Sequence, residues 1–497
     1  MGTPDLLPGP AARHDWGPRY APGPVLGSGA MGTVYRVRDT ELNKQVALKA
    51  IKERDPDELF HLKQEFRALC GVRHPNLVEL YELGAVDDRC FFTMELVDDA
   101  RDFLGDVRPT RNDDLTQLPP DRFARFQSNV VQLARSVRAL HAAGWVHRDV
   151  KPPNVLVDRG GRVTLLDFGL TRPLAPTFAD GGELSGGSGT PRYMAPEQLR
   201  QAPLTPASDW YSVGLLLYEA LTGQLPHADR GVQRMLWSRY EGHAPRPPSE
   251  RVEDVPAWLD GLVCDLLAPE PERRPAGDDV LARISATLGA GTTPSVTSRR
   301  SAHAAHFVGR EQEQALLRDA FATVDSERGC AVAHVAGASG MGKSALVERF
   351  ASDLEHGGRA LVLRGRCHPQ ELVPFKALDR LVDELSRYLR RLDMSSGVPI
   401  PEHVTDLLRL FPVLRRVGAL ANAGSTDETV GDPVTRRRRG ARALRWLIAR
   451  VSERLPVVAW IDDLQWGDTD SLFLLRELLT GPDPPRVLLV LSYRSED

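Results

Sequence analysis

Cysteine is scarce and scattered. The five thiols (Cys70, Cys90, Cys264, Cys330, Cys367) are odd in number and form no CxxC pair. That excludes the usual zinc spacing and offers no disulfide framework, so a reducing cytoplasm is expected. An excess of charge of one sign is also lacking: 63 basic against 67 acidic residues leave a formal net charge of -4. Such a balance argues against a protein built to coat nucleic acid or an anionic membrane. No apolar run reaches the ~20 residues of a membrane span. The most apolar helical stretch, Trp210–Leu221, is too short and contains Glu219, so it is expected to be a buried core helix. The first twenty residues are rich in Pro and Gly and lack the charged start and apolar run of a secretory signal. Leu6 stands where a myristoylation signal after Gly2 wants Ser or Thr. No fixed-period repeat is found.

What is present is enough chain for two large domains or three ordinary ones, 497 residues in all. Residues 1–20 are expected to be disordered. From Pro24 short apolar runs (Val25-Leu26, Val34–Val37, Gln45–Ala50) alternate with glycines and polar turns, the pattern of an antiparallel sheet. A helix is expected over Asp57–Cys70, then strands at Leu77–Leu83 and Cys90–Leu96. After Asp98 the chain turns helical, with Phe126, Val130, Leu133, Val137 and Leu140 at helical spacing within Phe123–Ala143. Short strands Val155–Val157 and Val163–Leu166 follow, then a Gly/Ser-rich loop and more helices to about Leu288. Residues 289–305 have the composition of a linker. Beyond it, strands (Ala331–Ala336, Ala360–Arg364, Val457–Ile461, Val487–Ser492) alternate with helices (Lys343–Leu354, Lys376–Leu392, Thr405–Leu410, Ala441–Arg454), as in a parallel α/β sheet.

One stretch carries most of the chemistry: His147-Arg148-Asp149-Val150-Lys151-Pro152-Pro153-Asn154, with Asp167-Phe168-Gly169 following. Asp149 suits the acceptance of a hydroxyl proton, and Lys151 the neutralisation of a phosphoryl group. Asn154 and Asp167 offer oxygens to a divalent metal. Upstream, Gly27, Gly29 and Gly32 lie in Gly27–Val34 between two strand candidates. Glycines let a backbone approach phosphates closely, although the pattern alone also suits a plain turn. A strand rather than a helix follows it, against a Rossmann site and for a hairpin lid. Lys49 sits among apolar neighbours in Val-Ala-Leu-Lys, and Glu65 on the next helix is the best carboxylate to hold it.

In this order the motifs resemble a eukaryotic-type serine/threonine protein kinase of the kind also found in bacteria. The resemblance covers about residues 20–288 and also includes Gly189–Glu197, Asp209 and Arg274. It implies an α+β two-lobed fold, a small lobe over 21–97 and a large lobe over 98–288, with Mg-ATP in the cleft (Mn2+ is the alternative metal). It implies that Met94 is the gatekeeper, that Glu95–Val97 contact adenine, and that Glu197 pairs with Arg274. Lys151 resembles the serine/threonine branch, and Thr190 would then help shape the acceptor site. Arg148 would receive a phosphate placed within Thr177–Ser188, a loop that includes Ser185, with Thr190 just beyond it.

A second site begins at Gly337-Ala338-Ser339-Gly340-Met341-Gly342-Lys343-Ser344, between a strand and a helix, the context of a Walker A phosphate loop. Backbone N–H groups and the helix N-terminus suit phosphates, Lys343 the β/γ phosphates and Ser344 a Mg2+ ion. Strand Val457–Ile461 ends in Asp462, placed for the metal, and Asp463, a candidate to orient water. Arg494 is a candidate sensor of the γ-phosphate. With Phe307–Glu311, these motifs resemble the AAA-like ATPase of signal-transducing (STAND) NTPases over about 306–497. The resemblance implies a further core strand and a helical lid beyond Arg494, so this α/β module is expected to be C-terminally incomplete. Arg436–Arg439 reads as a solvated helix start rather than a nucleic-acid site.

The expected function is phosphoryl transfer from Mg-ATP to protein Ser or Thr hydroxyls, with an appended ATP-binding regulatory module. Protein substrates are the expected partners, and self-association is left open. The alternative is a nucleotide-gated scaffold or transcriptional-type switch whose kinase modifies only itself.

Overall fold

The computed structural model describes residues 16–29, 32–51, 55–86, 89–108, 118–166, 172–173, 191–228, 231–288, 309–395, 397–424, 432–480 and 484–495. Asp167–Gly169, Thr177, Ser185, Ser188, Thr190, the 289–305 linker, Phe307, Val308 and the segment 1–15 lie outside the described residues. The chain divides into two compact units, one holding most residues up to 302 and the other most of those from 303 on.

The first unit opens with β1 (Tyr20–Ala21), β2 (Val25–Gly29), β3 (Gly32–Asp39) and β4 (Lys44–Ala50). Helix α1 (Pro56–Leu69) and strands β5 (Leu80–Val86) and β6 (Arg89–Glu95) follow. Among the described residues these strands form one sheet in the order β1-β3-β4-β6-β5, with β2 paired to β3. Pro56 suits the first turn of α1, where its missing N–H costs nothing. Asp57 and Glu58 in that turn, and Arg67 in the last, complement the helix dipole. Leu62, Phe66 and Leu69 are buried along one face.

The expected strand at Leu77–Leu83 begins later, at Leu80. The backbone before it is already engaged elsewhere: Leu165 N donates to Asn76 O (2.9 Å) and Val78 N to Leu165 O (3.1 Å).

After β6 come β7 (Arg101–Asp102), α2 (Phe103–Val107), α3 (Pro120–Ala142), β8 (Trp145–Val146), β9 (Val155–Val157), β10 (Val163–Leu165) and β11 (Arg172–Pro173). Helices α4 (Pro196–Leu199), α5 (Pro206–Thr222), α6 (Val232–Glu241), α7 (Ala257–Leu266) and α8 (Gly277–Leu288) complete the unit. The apolar stripe of α3 is buried as its spacing requires: Phe126, Val130, Leu133, Val137 and Leu140 are each 2% exposed or less. Helix α5 is buried nearly all round. A Cβ at Gly214 would lie 2.9 Å from Leu266 Cβ, so glycine lets α5 and α7 approach closely.

The second unit contains α9 (Glu311–Glu327), β12 (Cys330–Ala336), α10 (Lys343–His356), β13 (Leu361–Arg366), α11 (Lys376–Ser395), α12 (Val404–Leu410), α13 (Gly418–Ala423), α14 (Pro433–Arg454), β14 (Val457–Asp462), α15 (Thr469–Leu479) and β15 (Val487–Tyr493). Among the described residues the sheet is parallel, in the order β12-β15-β14-β13. Period-two alternation sends Val458, Trp460, Leu488 and Val490 to a core with Leu317, Phe321 and Phe350. Ala459, Ile461, Leu489 and Leu491 face the opposite core with Leu381, Leu444 and Leu447.

Helix α14 starts eight residues before the expected Ala441. Asp432 caps it by accepting from Val434 N and Thr435 N, and Pro433 occupies its first position. Arg436–Arg439 therefore lie in its first turns, with Arg437 and Arg438 exposed. Among the described residues no helix is long and apolar enough to cross a membrane.

Candidate nucleotide sites

A hairpin borders the first site. Gly27 pairs with Val34, Ser28 with Thr33 and Gly29 with Gly32. A Cβ at Gly27 or Gly29 would meet no protein atom within 4 Å, so packing does not demand glycine at either position. Close approach of a phosphate would demand it. Gly32 differs: its φ is +126°, and a Cβ would lie 2.4 Å from Ala50 O. Across the next strand pair Val34 stands opposite Lys49. The buried Lys49 Nζ donates to both carboxylate oxygens of Glu65, at 2.8 and 2.9 Å. Helix α1 is held in that register by Phe66 against Phe92, ring centroids 6.0 Å apart.

The stretch after β8 is shaped from beneath by Asp209 of α5. Asp209 is fully buried and accepts from His147 N and Arg148 N, both at 2.7 Å, with His141 Nε2 also at 2.7 Å. Burial pushes its carboxyl up, but the His141 hydrogen bond, the nearby His147 and the Arg148 amide outweigh burial and hold it below the ordinary range. Arg148 adopts a left-handed φ of 71°, a conformation that this paired grip on consecutive amides sustains. His147 Nδ1 accepts from Asp149 N (3.2 Å), so its Nε2 is the donor to Leu166 O (2.9 Å).

The structure brings three of the expected residues to one point. Asp149 Oδ2 lies 2.7 Å from Lys151 Nζ and accepts from Asn154 Nδ2 at 3.1 Å. Asn154 Nδ2 also donates to Asp149 O at 2.9 Å. With its nitrogen thus committed, the Asn154 amide oxygen is the atom left to face a cation, and oxygen donors of this kind suit Mg2+. Asp167, the fourth expected residue, lies outside the described residues.

Glu95 ends β6, and its backbone N is already engaged by Glu79 O (2.8 Å). Its side chain is clamped by Arg162, whose Nη2 donates to Oε2 at 3.1 Å and whose Nε donates to Pro75 O at 2.7 Å. The Glu95 hydrogen bond raises the Arg162 pKa above its ordinary value. Sequence reasoning did not identify Arg162, because it lies 67 residues from Glu95 with no motif linking them. Met94 precedes Glu95 within β6, and Val97 lies two residues past the strand.

Glu197 and Arg274, buried and paired at 2.6 and 2.9 Å, join the start of α4 to the segment before α8. Burial raises the Glu197 pKa, but Arg274 more than reverses this, so the carboxyl sits below its ordinary range. A second buried cation was missed by sequence reasoning. Arg239 of α6 donates to Arg192 O (2.7 Å) and Met194 O (3.1 Å), fixing the backbone just before Glu197. Nothing in the local sequence marks Arg239, since its partners, two carbonyl groups and the Tyr211 side chain, lie far from it along the chain.

At the second site the loop of residues 337–342 joins β12 to α10. Gly340 and Gly342 take left-handed φ values of 82° and 79°. Lys343 Nζ donates to Gly337 O and Ala338 O, at 2.7 and 2.9 Å, folding over its own loop. Ser344 Oγ lies 2.9 Å from Asp462 Oδ2, so a hydroxyl and a carboxylate meet as a hard-cation donor pair. The adjacent Asp463 points to other partners. Its Oδ2 accepts from Arg366 Nε (2.9 Å) and its Oδ1 from Gln465 Nε2 (3.1 Å). Burial raises its pKa, but Arg366 and Gln465 bring it below the ordinary range. Arg494 follows β15, and its backbone N donates to Gln465 Oε1 at 3.3 Å.

A strand hairpin, a buried Lys–Glu pair and an Asp–Lys–Asn cluster define a phosphotransferase class of site, in a chain that also carries a P-loop unit. A family model described as protein kinase domain matches residues 20–284, and one described as AAA ATPase domain matches 306–490. The chain belongs to the protein kinase domain family, with an AAA-type ATPase domain following. It is 31% identical to a probable serine/threonine-protein kinase of Streptomyces coelicolor over 282 residues, 55% of this chain and 40% of that protein. It is 31% identical to the serine/threonine-protein kinase PknB of Mycobacterium tuberculosis over 263 residues, 52% of this chain and 40% of PknB. With PknL of the same species the identity is 35% over 262 residues, 52% of this chain and 62% of PknL. The chain thus spans less than two thirds of the length of each.

Proposed function

We propose that the first unit is a serine/threonine protein kinase domain, residues 21–288, transferring the γ-phosphoryl group of Mg-ATP to protein hydroxyls. The cluster of Asp149, Lys151 and Asn154 carries the proposal. Asp149 Oδ2 accepts or orients the acceptor hydroxyl proton, Lys151 offsets negative charge on the moving phosphoryl group, and Asn154 with Asp167 holds the metal. A bound Mg2+ supplies charge neutralisation between the phosphates. Lys49, steadied by Glu65, holds the phosphates beneath Gly27, Gly29, Gly32 and Val34, and the backbone of Glu95–Val97 meets adenine. Phosphorylation within Thr177–Ser188 orders that loop through Arg148.

The second unit, residues 306–497, is a STAND-type regulatory module that binds Mg-nucleotide through Gly337, Gly342, Lys343, Ser344 and Asp462. One observation favours binding over rapid hydrolysis, and so a nucleotide-gated switch: both oxygens of Asp463, the nearest candidate to activate water, are engaged by Arg366 and Gln465. The five free thiols support a reducing cytoplasm, and the Streptomyces and Mycobacterium relatives support a bacterial signalling protein.

The test is a labelled-ATP assay on the full chain. Asp149→Asn is expected to lower phosphoryl transfer by roughly 10²–10⁴-fold, the worth of a positioned acid/base. Lys343→Ala should leave transfer by the first site measurable. Near-normal transfer in Asp149→Asn would refute the assignment. Phosphate mapped on residues 170–190 of the wild type supports the loop's role.

A further inference from the structure

Three strands meet behind the second site's metal-facing carboxylate, and one short chain of hydrogen bonds crosses two of them. Trp460 and Asp462 stand two residues apart on one face of β14, and Ser492 stands beside them on β15. The Trp460 indole Nε1 donates to Ser492 Oγ at 2.8 Å. Ser492 Oγ lies 2.7 Å from Asp462 Oδ1 and 3.4 Å from Ile461 O. Ser492 is fully buried and Trp460 is 6% exposed, so water does not compete for these groups.

The polarity of this chain is forced. An indole N–H only donates, so the serine oxygen must accept from it. The single hydroxyl proton is then free for Asp462, and the 2.7 Å contact takes it in preference to the longer one. Asp462 therefore receives this hydrogen bond on Oδ1, while Ser344 Oγ stands 2.9 Å from Oδ2 and 3.1 Å from Oδ1. The neighbouring carboxylate is held differently: Asp463 meets the Arg366 guanidinium at 2.8 Å, whereas the hydroxyls of Ser344 and Ser492 lie closest to Asp462 and Arg366 stands 3.9 Å from it. Neutral donors fix a carboxylate's direction without cancelling the charge a cation requires.

We propose that Ser492, oriented by Trp460, is a positioning residue that aims the Asp462 carboxylate at the metal of a bound Mg-nucleotide. It rests on the proposal that the second unit binds Mg-nucleotide. Arg494 was the only residue of this strand end that the sequence singled out. The strand's contribution begins two residues earlier, with a serine whose role depends on a tryptophan of the neighbouring strand.

The experiment measures ADP binding to the full chain by calorimetry, with Mg2+ and with EDTA, scoring the component that Lys343→Ala removes. Ser492→Ala is expected to weaken that component about tenfold or more in Mg2+, the usual worth of a group that orients a metal ligand. Binding in EDTA should be unchanged. Ser492→Thr, which keeps the hydroxyl, should restore Mg2+ dependence. Trp460→Phe, which keeps the packing but loses the donor, should fall between them. Equal losses with and without Mg2+ in Ser492→Ala would reduce Ser492 to a structural role and overturn the proposal, as would unchanged binding in both. A wild type with no Lys343-dependent nucleotide binding would overturn the assignment of the site itself, a result distinct from either.

Discussion

Asp209 shows how much of the first site is set by a residue that need not touch a substrate. It holds the amides of two consecutive residues, His147 and Arg148, just before Asp149. Its folded pKa lies below its ordinary value of 3.8. The stability it contributes is therefore complete above that value and is lost as pH falls through the lower folded one. Asp209→Asn is expected to destabilise the first unit by about 3 kcal/mol near neutral pH, the scale of breaking a buried pair. The gap from wild type should narrow below about pH 4. Urea denaturation of both proteins from pH 7 to pH 3 measures it, and a gap independent of pH would count against the ionic role. Gly32 makes the complementary point, since its φ of +126° and the nearby Ala50 carbonyl require glycine with no ligand present.

Helix ends decide where the elements of the second unit stop and how they join. Asp468 caps α15 by accepting from Ser471 N at 2.6 Å, and it also accepts from Lys376 N at 2.8 Å, at the start of α11. Ser471 Oγ in turn accepts from Ala377 N at 3.1 Å. One side chain therefore satisfies the open ends of two helices that cover the same face of the sheet. Asp468→Ala should cost about 1–2 kcal/mol, at the upper end for a helix cap because two helices lose a partner. The thermal transition of the second unit should fall while the first unit's transition stays in place. Caps of this kind also explain a boundary that the apolar pattern placed wrongly. Helix α14 extends back to Pro433 over four arginines that carry no apolar periodicity, and Asp432 with Pro433 marks the start.

The whole molecule carries two candidate nucleotide sites of unrelated design, one bordered by a strand hairpin and the other at the head of a helix. Two classes of Mg-nucleotide binding are expected in titration calorimetry of the full chain. Lys343→Ala should abolish one class and leave the other, whereas Lys49→Met should weaken the class that Lys343→Ala spares. A single class, removed by either change, would contradict two separate sites. Much of this was legible in the sequence, because phosphate chemistry demands fixed residue types at short spacings. Gly27–Val34, His147–Asn154 and Gly337–Ser344 are each eight consecutive residues, so linear order alone places their groups together. Helical spacing of apolar residues likewise predicted α3, and continuous apolar runs predicted α5 and the buried strands β14 and β15. What only tertiary structure decided is the partnership of residues far apart in the chain. Arg162 with Glu95, Arg239 with Arg192 and Met194, Arg366 with Asp463, and Ser492 with Asp462 join residues 30 to 97 positions apart. Hydrogen bonds to buried carboxylates and carbonyls need a donor at the right point in space, and any element that passes that point can supply it.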